Sequence, residues 1–173
     1  DEALFDYYAT TQLTRVGLDG SSQKLGEPGI NTDMTPSPDG QYLLTERRHR
    51  PYSYIVPMYR FPAKIAVWNK SGQEVHVLAD LPLMEEVPIQ RGSTTIGPRS
   101  VQWRSDAPAT LVWVEAQDQG DPRNEVEWRD LVLMQPAPFD AEPVPLHALA
   151  TRYAGMDWSG HDWALVYEFW SPD

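Results

Sequence analysis

"TPSPDGQYLLTE" occupies Thr35 to Glu46 and sets Ser37-Pro38-Asp39-Gly40 directly before an apolar run of strand formers. Pro38 and Gly40 are turn residues, because one fixes φ and the other tolerates positive φ. The same arrangement returns twice. "MTPSPDGQYLLTE" starts at Met34, "VQWRSDAPATLVWVE" at Val101 and "MDWSGHDWALVYE" at Met156. Each carries an apolar residue, then Pro36, Trp103 or Trp158 two positions on, a small polar turn containing Asp, and a strand-like run ending in Glu.

A second unit precedes each of these. "QLTRVGLDGSSQKLG" from Gln12, "AKIAVWNKSGQEVHVLADL" from Ala63 and "RDLVLMQPAPFDAEPVPLHAL" from Arg129 all read as strand, turn, strand. Asp19-Gly20 and Ser71-Gly72 have hairpin-turn chemistry. The pattern predicts twelve short strands, two hairpins per repeat, and no convincing helix. In Ile65–Trp68 and Leu111–Val114 both alternating sets are apolar, which marks strands covered on both faces. A four-stranded unit of about 40 to 60 residues, hidden on both sides by its own kind, describes a propeller blade. The expected fold is therefore all-β, a β-propeller fragment of about three blade equivalents of four-stranded antiparallel meanders. Residues 1–29 make a half blade, 30–80 and 96–149 whole blades, and 150–173 another half blade. Pro36, Trp103 and Trp158 are the expected packing anchors between blades.

Composition fits this reading. Sixteen prolines in 173 residues disfavour long helices. Hydrophobic residues make up 41%, enough for a core. Fourteen basic against 25 acidic residues leave a net charge of −11, which argues against non-specific nucleic-acid or membrane-surface binding. The absence of Cys excludes disulfides and thiolate zinc sites. No apolar stretch approaches the roughly 18 residues of a membrane span. The opening "DEALFDYYATTQ" lacks the regions of a signal peptide, and no residue pattern names a compartment.

The turns inside the hairpins are short, whereas 47–62, 80–95 and 117–128 are long. In a meander these two sets fall on opposite sides, so one side is expected to be elaborated and to meet substrate or partner. The segment "ERRHRPYSYIVPMYRFPAK", Glu46 to Lys64, lies there and concentrates Arg47, Arg48, Arg50, Arg60 and Lys64. Its arginines read either as a patch facing a substrate carboxylate or as a solvated loop pairing with local acids such as Glu46. Tyr52, Tyr54, Tyr59 and Phe61 read as packing of that loop. "DQGDPRNE" (Asp118, Asp121, Glu125) offers oxygen ligands without EF-hand spacing and reads as a solvated turn. His49, His76, His147 and His161 show no metal-ligand spacing, so no metal and no cofactor are expected. Asn69-Lys70-Ser71 fits a glycosylation sequon but reads as a hairpin turn, and Glu85-Glu86 as a solvated pair.

The "SPDG" turn with the strand "AKIAVWNKSGQEVHVL" resembles the propeller of prolyl-oligopeptidase-family serine peptidases. "LLTERRHRPYSYIVPMYRFPAKIAVWN", Leu43 to Asn69, and the opening "DEALFDYYATTQLTRVGLDG" are similar to the glutamyl endopeptidase branch. The resemblance implies a larger protein in which a propeller caps an α/β-hydrolase domain with a Ser-Asp-His triad and a Gly-x-Ser-x-Gly elbow. No such elbow occurs here, and Ser159-Gly160-His161-Asp162 is too tight a turn to hold triad geometry. The expected role is the non-catalytic propeller portion of a serine endopeptidase of glutamyl type, gating access to peptide substrate at a hydrolase domain absent from this chain. A protein–protein interaction module docking through 47–62 and 80–95 is the alternative. Open blade edges give a further expectation, association of two copies into a homodimer.

Overall fold

A computed structural model describes residues 2–160 and 163–169. Among them lie one helix, α1 (Glu2–Ala9), and eleven strands: β1 (Thr11–Val16), β2 (Ser22–Pro36), β3 (Tyr42–Arg48), β4 (Ala63–Asn69), β5 (Glu74–Leu81), β6 (Arg99–Trp103), β7 (Thr110–Ala116), β8 (Asp130–Pro136), β9 (Val144–Leu149), β10 (Arg152–Trp158) and β11 (Ala164–Phe169). The strands form sheets in the orders β1-β2-β3-β4-β5, β6-β7-β8-β9 and β10-β11. Every pairing is antiparallel between consecutive strands, so the chain is a succession of meanders. It is an all-β chain built of two compact units. The first runs to Glu85, except for Ser37–Asp39, which groups with the second.

Two expectations need correction. The chain has helical structure: α1, and a single 3-10 turn at Met58–Arg60. The α1 segment EALFDYYA contains neither Pro nor Gly, and Glu2 in its first turn suits the helix dipole. Phe5 anchors it, packing edge-on against Tyr52 at 4.7 Å and Phe61 at 5.8 Å. The second correction concerns strand number, because two of the expected twelve strands run on as β2. Its first part, Ser22–Gly29, pairs with β1, and its second, Ile30–Pro36, pairs with β3. The register slips by two residues where Gly26 adopts φ +59. Glycine is required there, since an added Cβ would stand 2.6 Å from the Trp68 ring.

The turns follow their sequence chemistry. Gly20 and Gly72 take positive φ, and Asn69 Oδ1 accepts hydrogen bonds from the N–H groups of Ser71 (2.9 Å) and Gln73 (3.1 Å). Ser37 Oγ donates to Asp39 Oδ1 at 2.6 Å in the turn before β3. Connections at the opposite ends of the sheets are longer, at 49–62 and 117–129. In the second unit the elaboration is not uniform, since β9 reaches β10 through residues 150–151 alone.

β4 and β7 are inner strands of the two large sheets. Ile65 to Trp68 and Leu111 to Val114 are almost wholly withdrawn from solvent, on both faces of each strand. In the second unit, one covering layer is explicit. Val112, Val114, Val132 and Leu149 pack against Tyr153 and Met156 of β10, with Ala164 and Val166 of β11 at the margin. Thus β10-β11 stacks face to face on the β6–β9 sheet. The other face of β11 carries Leu165, Tyr167 and Phe169, all exposed.

Candidate functional site

In an antiparallel meander the starts of alternate strands lie at one end. In the second unit this gathers the first residues of β6, β8 and β10, which are Arg99, Asp130 and Arg152. The 117–129 connection adds Asp118 and Arg129 at the same end. Asp130 accepts hydrogen bonds from Arg99, from Arg152 Nη1 (3.0 Å) and from Tyr153 N–H (2.7 Å). Asp118 accepts from Arg152 Nη2 (2.5 Å), Arg129 Nη1 (2.9 Å) and Gly120 N–H (3.0 Å). Both carboxylate side chains are fully buried. Burying a charge is costly unless it is paired and hydrogen-bonded, and each carboxylate here accepts three hydrogen bonds.

Arg152 is the hub. Besides the two carboxylates it donates to Gly92 O (2.7 Å) and Arg129 O (3.2 Å). The network borders a cavity of about 610 Å³ lined by Arg91, Arg99, Arg129, Arg152 and Ser93, with Tyr153, Phe169 and Pro122 as apolar wall. Four guanidinium groups face two carboxylates, leaving two positive charges in a chain that is strongly acidic. Of these residues the sequence reading singles out Asp118 alone. "DQGDPRNE" was read as a solvated turn, and that reading fails at Asp118, which is buried and triply bonded. Asp121 does fit it: paired with exposed Arg123, its carboxyl is held down at about 2, mainly by the Arg123 side-chain hydrogen bonds.

The arginines expected from the sequence all lie in the first unit. Arg47 donates to the carbonyls of Glu27 (3.1 Å) and Pro28 (2.9 Å), with its guanidinium 5.4 Å from the Trp68 ring centre. Arg48 pairs with Glu46 and donates to Phe61 O (2.8 Å) and Tyr59 O (3.2 Å). Arg50 reaches α1, meeting Glu2 at 2.5 Å and Asp6 at 2.6 Å. The Arg60 backbone closes the 3-10 turn, its N–H donating to Pro57 O at 2.9 Å and its carbonyl accepting from Met84 N–H at 3.0 Å. Arg47, Arg48 and Arg50 thus hold the 47–62 segment against its own unit.

Tyr52 joins that knot by donating its hydroxyl to Asp6. Burial, then this hydrogen bond and the nearby charge, push the Tyr52 phenol up to about 12. The Asp6 carboxyl is lowered, first by Tyr52 and then by Arg50. His49 has both ring nitrogens engaged, with Asp80 at 2.8 Å and Arg50 O at 2.8 Å, so it is not placed to activate a hydroxyl. Of the expected anchors, Trp103 is buried near Phe139, Trp158 is half-buried beneath the Arg104 guanidinium at 4.4 Å, and Pro36 is exposed. His161 and Asp162 lie outside the described residues. Among the described residues no cluster of three or more His, Asp or Glu side chains could hold a metal ion, and no helix is long and apolar enough to cross a membrane.

Two curated relatives are similar to almost the whole chain. A probable chloroplastic glutamyl endopeptidase of Oryza sativa subsp. japonica is 49% identical over 172 residues, and one of Arabidopsis thaliana is 49% identical over the same length. The match covers 98% of this chain but only 18% of either relative. The chain therefore corresponds to a small part of each of those proteins. No family model and no solved structure matches it.

Proposed function

We propose that this chain is the non-catalytic β-propeller portion of a prolyl-oligopeptidase-like serine endopeptidase of glutamyl type. It gates access to, and shapes substrate selection at, an α/β-hydrolase site carried elsewhere in a longer protein. The observation that carries the reading is the 49% identity over 172 residues to proteins named as glutamyl endopeptidases, of which the chain spans 18%. The architecture agrees with it. Strands buried on both faces need a sheet on either side, and meanders stacked face to face are how propeller blades meet that need. The 49–62 and 117–129 connections, at the ends of the sheets opposite the tight hairpins, are the elements available to narrow an entrance.

The test uses the full-length protein that contains this segment. A short peptide with an internal Glu is cleaved, whereas the same sequence inside a stably folded protein is spared. Equal cleavage of both removes the gating role. The exposed apolar face of β11, with Leu165, Tyr167 and Phe169, favours a second reading, a protein interaction module. Full-length protein without any peptidase activity supports that alternative.

A further inference from the structure

We propose that the arginine-lined cavity of the second unit binds the carboxylate of an acidic peptide segment. The anion preference comes from the cavity itself. Of its four arginines, Arg152 is consumed by the buried carboxylates and backbone carbonyls. The others retain donors. Arg129 uses only Nη1, toward Asp118 and more weakly toward Asn124 O at 3.5 Å. Arg99 spends one nitrogen on Asp130, and its Nε is buried without a hydrogen-bond partner. Ser93 Oγ is likewise buried and unpartnered. Arg91 is exposed at the rim.

Arg99 Nε and Ser93 Oγ are closed off from solvent, so the groups available to an incoming anion are the unused nitrogens of Arg129 and Arg91. Guanidinium groups match a carboxylate in planar, bidentate fashion. Asp118 and Asp130 neutralise Arg152 but not the whole set, so an incoming anion meets excess positive charge. They also fix Arg152, and through it the Gly92 carbonyl, so the site is held in place before anything enters. About 610 Å³ accommodates more than a single ion, and Tyr153 and Phe169 offer apolar wall for neighbouring methylenes. The choice of a peptide over another anion rests on the peptidase reading above; the anion site does not.

The experiment is calorimetric titration of the 173-residue chain with three probes. These are an end-capped peptide alternating Ala and Glu, its Gln counterpart, and inorganic phosphate at matched ionic strength. The Glu peptide is expected to bind at least about tenfold more tightly than the Gln peptide, because charge-assisted bonds are lost. Arg91→Gln, which removes an exposed side chain with no structural bond, weakens Glu-peptide binding about five- to tenfold. Arg123→Gln, outside the cavity, leaves it unchanged. Equal binding of the two peptides, or indifference to Arg91→Gln, overturns the proposal. Phosphate binding with neither peptide bound overturns the peptide assignment. No hydrolysis enters the measurement, so failure here is distinct from failure of the peptidase reading.

Discussion

Replacing Asp130 by Asn keeps the shape of the side chain and removes its charge. The structure sets the cost. Asp130 is fully buried, and the two arginines it neutralises are nearly so: the Arg99 and Arg152 side chains are 13% and 9% exposed. Removing one partner of a buried ion pair costs about 3–5 kcal/mol, chiefly through the charge left behind. Arg152 still has Asp118, and the amide oxygen can still accept from Tyr153 N–H, so the lower end, about 3 kcal/mol, applies. For a domain of this size each kcal/mol moves Tm by about 2–4 °C, which gives a fall of about 6–12 °C. Seven tryptophans make thermal unfolding easy to follow by fluorescence. Adding Arg99→Met to Asp130→Asn recovers part of the loss, because the stranded charge goes with it. A Tm change below about 2 °C, or strict additivity of the two substitutions, refutes the reasoning.

Other outcomes follow from particular contacts. The Tyr52 phenol is raised to about 12 in the folded chain, above its ordinary value of 10. Its contribution is therefore fully present below pH 10 and lost as pH rises through 12, when a phenolate would face the Asp6 carboxylate. Titration by tyrosinate absorbance reveals a late step that Tyr52→Phe removes, and the α1 helical signal weakens over the same interval. Gly120→Ala is expected to cost about 2 kcal/mol or more, since φ is +75 and the new Cβ would lie 2.1 Å from Thr94 O. Gly40→Ala, at φ +64 in open space, costs only about 1 kcal/mol; the two Tm values compare them directly. Trp113→Ala, at a site 1% exposed, is expected to lose about 3–5 kcal/mol by denaturant titration. Leu165→Ala should be nearly neutral in this chain and destabilising in the longer protein, if another sheet covers β11 there.

The fold was legible where physics is local. Ile65–Trp68 and Leu111–Val114 announce burial on both faces because both alternating sets are apolar, and Asp19-Gly20 and Ser71-Gly72 announce their hairpins. The passage from one hairpin to the next through β2 was not legible. Gly26 and Pro28 resemble a break, yet β2 runs through both, with a register slip at Gly26 and the ring of Trp68, far away in sequence, beside it. Helix α1 was missed for a similar reason: its anchors, Tyr52, Arg50 and Phe61, come from another segment.

The candidate site was the least legible part. Arginines at 47, 48 and 50 stand together in the sequence and suggest a patch, but each is taken by its own unit. The cavity arginines at 91, 99, 129 and 152 are scattered: antiparallel pairing brings Arg99 and Arg129 to one end of the β6–β9 sheet, the stacked strand β10 adds Arg152, and Arg91 comes from the connection before β6. A sequence clue did exist in Asp130, a carboxylate set directly before Leu131-Val132-Leu133-Met134, where a charge entering a buried strand demands a partner.

The proposed function places catalysis outside these residues, in a longer protein. A serine-directed fluorophosphonate probe, applied side by side to the 173-residue chain and to the full-length protein together with a Glu-containing peptide, tests it directly. The full-length protein should be labelled and should release product, while the chain alone does neither. Labelling or turnover by the isolated chain, or an inert full-length protein, contradicts the account.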